Sequence, residues 1–108
     1  MSDTQDYKGK PLDLANMVDY SDGSIVSRTI LDKKTGTLTL FAFDTGQRLS
    51  EHTSPYDATV HILDGTGTMT IGGEKVTARA GEMVIMPANI PHDVQADERF
   101  KMLLIMIR

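Results

Sequence analysis

The chain has 108 residues and a formal net charge of −4, from eleven Lys and Arg against fifteen Asp and Glu, and it contains no cysteine. A chain of this length builds one hydrophobic core, and its scattered basic residues form no face for phosphate backbones, so we expect one domain and no nucleic-acid partner. The lack of cysteine excludes disulfides, thiolate nucleophiles and cysteine-based zinc sites.

The first ten residues, MSDTQDYKGK, are polar, and we expect residues 1–10 to be a flexible segment before a single domain over residues 11–108. This opening has no n-region or apolar h-region, and no stretch approaches the roughly 18 apolar residues of a membrane span. We therefore expect a soluble, cytoplasmic protein with no membrane partner. Residues 11–20, PLDLANMVDY, predict a short turn or strand that covers one edge of the domain.

From Ser24 onward the hydrophobic pattern has a period of two, which is typical of β-strands. SIVSRTIL leads through DKKTG into TLTLFAF, where Leu38, Leu40 and Ala42 occupy alternate positions, and this predicts a hairpin with one buried face. Further strands are predicted at residues 48–53, 59–63, 68–71, 75–79, 83–86, 92–95 and 100–107.

Glycine and proline separate these segments. The turn signals are Asp64-Gly65, Gly72-Gly73, Ala80-Gly81 and the stretch PANIP at residues 87–91. The glycines at 65, 67, 72 and 73 are interpreted as hairpin turns, because no helix follows them to form a phosphate-binding loop. Short strands at this spacing favour an all-β antiparallel sandwich or barrel.

Two motifs of this sequence resemble those of the cupin family. The first motif has Gly, His, His, Glu and Gly where this chain has Gly46, His52, Ser54, Ala58 and Gly65. The second has Gly, Pro, Gly, His and Asn where this chain has Gly81, Pro87, Asn89, His92 and Ala96. The resemblance covers residues 46–96 and implies an antiparallel double-sheet jelly-roll barrel of six to eight strands with a pocket inside.

Many members of the family hold iron, manganese, zinc, nickel or copper in that pocket. The resemblance places His52 at the first histidine ligand and His92 at the ligand of the second motif. Ser54 replaces the second histidine and Ala58 replaces the glutamate. A transition-metal site generally needs three or four donors, and a serine hydroxyl is a poor ligand near neutral pH.

Asp57 is the candidate for a third donor, because it stands one place before the replaced glutamate, although turn aspartates more often bond their own backbone. We therefore expect no cofactor. If one is bound, the resemblance implies a divalent transition metal (iron, manganese, zinc or nickel) on His52 and His92.

Alternation along the strands assigns side chains to faces. Residues two apart share a face, so His52 and Ser54 can line one cavity, and we predict a ligand pocket lined by His52, Ser54, Ala58 and His92. In the register of the first motif Ala58 and its alternate neighbours point inward, and His61 is predicted to lie on the outer face, at solvent or in a subunit interface.

Two apolar runs, MVIM at residues 83–86 and MLLIMI at 102–107, have apolar side chains at consecutive positions, so both faces of each strand are expected to be covered. One face is the barrel interior, and a partner subunit of a homodimer is expected on the other. Methionines 83, 86, 102 and 106 are either an adaptable lining for an apolar ligand or ordinary core.

Two classes of function remain open at this level. The first is a module that binds a small polar or carbohydrate-like molecule without a full metal site. The alternative is an enzyme: either a metal-dependent oxygenase or isomerase that uses His52 and His92 as ligands, or a metal-free catalyst of proton transfer by a histidine.

Overall fold

The protein is represented by a computed structural model that describes residues 7–108. It contains eight strands and one short 3₁₀ turn, Leu14–Asn16. The strands are β1 Ile25–Lys33, β2 Gly36–Phe43, β3 Arg48–His52, β4 Ala58–Ile71, β5 Glu74–Arg79, β6 Met83–Met86, β7 His92–Gln95 and β8 Phe100–Ile107. No helix among the described residues is long and apolar enough to cross a membrane. Of the segment predicted to be flexible, residues 1–6 lie outside the described part of the chain.

All strand pairs are antiparallel, and β4 is common to both walls of the molecule. Its first half pairs with β6 and β8, and its second half pairs with β5 and β7. The path of hydrogen-bonded neighbours runs β1-β2-β8-β4-β7-β3. The all-β, antiparallel double-sheet jelly roll predicted from the sequence is therefore confirmed.

The prediction of a hairpin turn at Asp64-Gly65 is wrong, because β4 continues through this point with a bulge between Ile62 and Asp64. Gly65 has φ 73°, and a Cβ there would lie 2.3 Å from the carbonyl oxygen of Arg99. A Cβ on Gly67 would lie 2.7 Å from the ring of Phe100. These glycines permit a bend and a close approach of β8, whereas Gly72-Gly73 do connect β4 to β5 as a turn.

The interior between the two sheets is organised around a pair of stacked rings. Phe43 and Phe100 are both fully buried, with ring centroids 4.6 Å apart and planes 8° from parallel. Val60, Ile62 and Met69 of β4 are fully buried in the same cluster. An offset stack of two large rings fills the bend of β4 with apolar surface that water cannot reach.

The hairpin β1–β2 does not have the single buried face predicted for it. Leu40 and Ala42 are fully buried on one side of β2, and Phe43 is fully buried on the other. Phe43 faces the interior between the sheets. Leu40 and Ala42 lie on the outer face of the sheet, and another part of the chain must shield this face from water.

That cover is the segment of residues 11–20, here called the N-terminal strap. Val18 of the strap is buried in a second apolar cluster with Leu40, Ala42 and Leu103. The ammonium of Lys101, itself buried, donates to the carbonyl oxygen of Ala15. The strap therefore covers a face of the sheet, and the prediction that it covers an edge is wrong.

Charged groups fix the end of the strap. The hydroxyl of Tyr20 donates to Asp64, and burial, followed by this bond, raises the pKa of Tyr20. Arg99 lies over the Tyr20 ring and donates to Asp44 at 2.7 Å. The amide of Gly23, followed by Arg99, lowers the pKa of Asp44 to about 2. Because these partners favour the ionised carboxylate, the cluster stays intact at neutral pH.

We expect Phe100→Ala to lower the free energy of unfolding by about 3–5 kcal/mol, because it removes one ring of the stack and leaves a cavity at the bend of β4. Thr77→Ala is the control, since Thr77 is an exposed residue of β5, and it should change stability by no more than about 0.5 kcal/mol. Urea denaturation followed by circular dichroism measures both. Equal effects of the two substitutions would contradict this account of the core.

Candidate functional site

A cavity of about 140 Å³ lies between the two sheets. It brings together the four residues that the sequence predicts as a pocket lining. Among the described residues, the lining consists of Leu49, His52, Ser54, Ala58, Met86, His92, Val94, Met102, Leu104 and Met106. Seven of these ten side chains are apolar, so the cavity is a largely hydrophobic space with its polar groups on one wall.

His52 and His92 form that polar wall. They are cross-strand partners in the β3–β7 pair, and their ring centroids are 4.6 Å apart with the planes 70° from parallel. His92 is 3% exposed, whereas His52 is an exposed residue. One imidazole therefore lies inside the cavity, and the other lies at its mouth.

Backbone carbonyls fix the tautomer of both rings. Nδ1 of His52 lies 2.7 Å from the carbonyl oxygen of Ser50, and Nδ1 of His92 lies 3.1 Å from that of Ile90. A carbonyl oxygen only accepts hydrogen bonds, so each Nδ1 carries a proton and donates. The Nε2 atom of each neutral ring then has a free lone pair, which can accept a hydrogen bond or bind a metal ion.

The loop before His92 is held against the loop before Ala58. Asn89 has φ 66°, a left-handed conformation that asparagine tolerates better than most residues, and its N–H donates to the carbonyl of Ser54 at 2.7 Å. The Asp57 carboxylate accepts the N–H of Ala88 at 2.8 Å. These two bonds fix the approach of the chain to the buried imidazole.

The residues present do not fit the histidine-histidine-glutamate-histidine set that the resemblance implies. The hydroxyl of Ser54 accepts the N–H of Tyr56 at 3.1 Å, and Ala58 offers only a methyl group. Asp57 does not line the cavity and its carboxylate bonds Ala88, so its role as a third donor stays a prediction. Within residues 7–108 no three His, Asp or Glu side chains are grouped closely enough to hold a metal ion.

Six lining residues were not assigned to the site from the sequence motifs. Val94 and Leu104 could have been found by alternation, because each stands two places from another lining residue. Leu49 could not, since the register of the β3–β7 pair shifts between Leu49 and His52. Of the four methionines that the sequence groups together, Met86, Met102 and Met106 line the cavity, whereas Met83 is 54% exposed.

His61 lies outside the cavity. Ala58, Val60 and Ile62 of β4 are buried, as the alternation predicts for the inward face. His61 is half-buried on the other face, with Met83 and Leu103 as its cross-strand partners. His52 and His61 therefore lie on different surfaces: His52 lines the cavity, and His61 lies on the outer face of β4.

Comparisons with known proteins agree with this architecture. Residues 39–107, more than half of the chain, match the family model described as "Cupin domain". A conserved protein of unknown function from Streptococcus pyogenes is 38% identical with a TM-score of 0.87, over 93% of this chain and 88% of that one. A cupin superfamily protein from Desulfitobacterium hafniense is 25% identical with a TM-score of 0.88, over 96% and 95%.

A cupin 2 conserved barrel domain protein from Leptotrichia buccalis is 40% identical with a TM-score of 0.87, over 90% of this chain. The match spans only 47% of the Leptotrichia protein, so this chain covers about half of that relative. No curated protein matches the chain. The solved relatives therefore establish the fold and leave the ligand to be argued from the cavity.

If Ser54 and Ala58 occupy the positions of the missing ligands, restoring those ligands should build a divalent metal site. We expect Ser54→His combined with Ala58→Glu to bind zinc or nickel at least tenfold more tightly than the unmodified protein, a gain of about 1.4 kcal/mol or more. Each single change should achieve less, because the gain depends on completing a coordination sphere. Isothermal titration calorimetry at pH 7 measures the affinity.

The matched control is Thr53→His combined with Thr59→Glu, which adds the same groups at neighbouring positions that do not line the cavity. It should leave zinc affinity unchanged. A folded Ser54→His/Ala58→Glu protein that binds zinc no better than this control would show that the two positions do not converge on the imidazoles.

Proposed function

This chain belongs to the cupin domain family, and we propose that it binds a small organic molecule in the cavity between its two sheets. The observation that carries the proposal is a pair of imidazoles on one wall of an otherwise apolar space. A concave, mainly apolar site with a few convergent polar groups is the usual form of a small-molecule site.

The size of the cavity limits the ligand. An apolar protein cavity of about 150 Å³ accommodates benzene, so a space of about 140 Å³ suits roughly six to eight non-hydrogen atoms. The sequence predicts a small polar or carbohydrate-like ligand. The lining instead favours a compact ring or branched chain, because a sugar would lose the hydration of most of its hydroxyls against methionine and leucine side chains.

The tautomers of the two imidazoles limit its chemistry further. With Nδ1 of each ring donating to a backbone carbonyl, each Nε2 has a lone pair that can accept a hydrogen bond, so the ligand should offer hydroxyl or amine donors toward His52 and His92. Within residues 7–108, no Lys or Arg lines the cavity to neutralise an anion. A neutral phenol or small alcohol is therefore a better fit than a carboxylate of the same size.

The enzyme alternatives have less support from the same geometry. A metal-dependent oxygenase or isomerase of the family type needs donors that Ser54 and Ala58 do not supply. Proton transfer by a histidine usually requires an acidic residue to orient the ring, and here backbone carbonyls hold both rings while Asp57 bonds Ala88. Binding of a ligand without a chemical reaction requires no group besides those that already line the cavity.

We expect phenol to bind more tightly than benzene by about threefold to tenfold, the effect of one hydrogen bond worth about 0.5–1.5 kcal/mol. Ligand-observed NMR titrations measure both affinities.

The double variant His52→Leu/His92→Leu should bind the two probes equally. Ala58→Leu, which fills the cavity, should bind neither, whereas Ala80→Leu at an exposed turn should bind as the unmodified protein does.

Benzoate is the third probe in these titrations, and it should bind more weakly than phenol at neutral pH. The proposal fails if none of the three rings binds the folded protein at millimolar concentration. It also fails if the Ala58→Leu variant retains the affinity of the unmodified protein, since the binding would then lie outside the cavity.

We propose in addition that two copies of the chain associate through the outer face of the sheet that contains β4, β6 and β8. The N-terminal strap covers part of this face. It leaves the outer patch, defined as His61, Met83, Ile85, Ile105 and Ile107, of which Met83, Ile85 and Ile107 are 54%, 60% and 66% exposed. A second copy would remove this apolar surface from water.

We expect light scattering of the purified protein at micromolar concentration to give about twice the chain mass. His61→Glu should shift the protein to monomer, because an unpaired charge in an interface core costs on the order of several kcal/mol. His61→Gln, which keeps a polar side chain without a charge, is the control and should remain dimeric. A monomeric unmodified protein would refute this mode of association.

A further inference from the structure

The outer patch contains one titratable side chain, His61, among apolar ones. The direct cross-strand partners of His61 are Met83 of β6 and Leu103 of β8. Ile85 and Ile105 stand diagonally next to it, two places along the same two strands. An imidazole therefore has apolar side chains on both sides, on the face that we propose to bury between two copies.

Imidazole differs from the other side chains of the patch because its charge changes within the physiological range. The ordinary pKa of histidine places this change between pH 5 and pH 8. A neutral ring can be buried with methionine and isoleucine side chains at modest cost, whereas a charged ring loses its hydration and needs a counter-ion. The nearby charged groups therefore decide whether a buried His61 tolerates a proton.

The carboxylates of β4 and of the start of β6 already hold partners. Asp64, in the same strand as His61, accepts the hydroxyl of Tyr20. Glu82, which directly precedes β6, accepts the N–H of Arg79 at 2.8 Å. An imidazolium at His61 would have to compete with these bonds.

The charged groups of β8 and of the N-terminal strap offer no better counter-ion. Lys101, on the outer face of β8, is a cation and donates to the carbonyl oxygen of Ala15. In the strap, Asp13 accepts the side-chain N–H of Asn16 at 2.7 Å, and Asp19 is exposed to water. A second copy that binds about a two-fold axis presents the same apolar patch, so it adds no charge at the centre of the contact.

We propose that His61 makes the association of two copies sensitive to pH, so that the protein is dimeric near pH 8 and dissociates toward pH 5.5. The inference rests on the association through the outer patch that is proposed above, and it assigns a regulation to that surface. The cavity is not involved, because His61 lies on the opposite face of β4 from the cavity residue Ala58 and its buried neighbours.

The direction of the effect follows from where the proton binds. A histidine at the surface of a free copy takes up its proton near pH 6.5, whereas a ring shielded from water in the dimer favours the neutral form. Association is therefore strongest above this pH and weakens as the pH falls below it. At pH 5.5 about ten-elevenths of such rings are charged in free copies, and with one ring in each copy the association constant falls about a hundredfold.

The charged cluster at the end of the strap does not respond in this range. The amide of Gly23, followed by Arg99, lowers the pKa of Asp44 to about 2, so this carboxylate is ionised at pH 5.5 as it is at pH 8. Burial, followed by the bond to Asp64, raises the pKa of Tyr20, so its hydroxyl stays protonated at both values. These contacts of the strap therefore do not account for a change between the two conditions.

Sedimentation equilibrium at pH 8.0 and pH 5.5, at equal ionic strength, measures the dissociation constant of the dimer, and circular dichroism verifies that the protein is folded in both buffers. The constant of the unmodified protein should rise about a hundredfold at pH 5.5. His61→Gln is the matched control, because its side chain is polar and does not titrate, and its constant should change by less than about threefold. A pH dependence that persists in His61→Gln would overturn the assignment to this residue.

A second measurement needs only the unmodified protein. With histidine labelled at 13Cε1, NMR titrations follow each ring, and the missing signal of His61→Gln identifies that of His61. The midpoint of His61 should lie at lower pH in concentrated protein, where the dimer forms, than in dilute protein, because binding and protonation are linked. The midpoints of His52 and His92, which line the cavity, should not depend on concentration. A His61 midpoint that stays constant while dimers form would refute the proposal.

The same data separate this inference from the dimer on which it rests. A protein that is dimeric with equal affinity at both pH values retains the association and loses only its regulation by His61. A protein that is monomeric at both pH values, at concentrations up to hundreds of micromolar, overturns the association and the regulation together.

Discussion

The contact between Phe100 and the two glycines of β4 is the constraint on which the other features of this protein depend. Gly65 and Gly67 allow β8 and the ring of Phe100 to approach the β4 backbone more closely than any side chain would permit. The strand therefore bends where Phe100 stacks on Phe43, and its two halves enter different sheets. The second half pairs Ile71 with His92, while the first pairs Ala58 with Met86 and Met106. One bend thus places imidazoles opposite thioethers.

The sequence predicts the strands well because their pattern is local. The bounds of β6, β7 and β8 agree with the sequence prediction, since each is a short apolar or alternating run between turn residues. At Asp64-Gly65 the sequence predicts a hairpin turn where β4 bends and continues, because Asp-Gly is also the strongest short-range signal for a hairpin. What distinguishes the two is the ring of Phe100, 33 residues later than Gly67 in the chain, and no local pattern contains that information.

The cover of the outer face was harder to predict for a similar reason. Apolar residues on both faces of β8 indicate that each face is buried. They do not indicate which part of the protein, or which partner, buries it. The sequence assigns the outer face to a partner subunit. The structure assigns part of it to the N-terminal strap, through Val18 and through the bond from buried Lys101 to Ala15. The burial of Lys101 is explained by two partners in the strap, the carbonyl of Ala15 and the ring of Tyr20, and no local sequence pattern indicates either of them.

The departures from the family motif have structural roles of their own. The Ser54 hydroxyl accepts the Tyr56 amide, the Asp57 carboxylate accepts the Ala88 amide, and Asn89 supports the left-handed turn that leads to His92. The hydroxyl oxygen of Ser54 is therefore occupied within its own loop, and the carboxylate oxygen of Asp57 joins this loop to the one before His92. Besides Ser54, the described residues that line the cavity are two histidines, three methionines and four aliphatic residues, and none of them carries a carboxylate, an ammonium or a guanidinium. An anion would meet no partner of opposite charge in this lining, and a compact neutral molecule with a hydrogen-bond donor is the occupant that we propose.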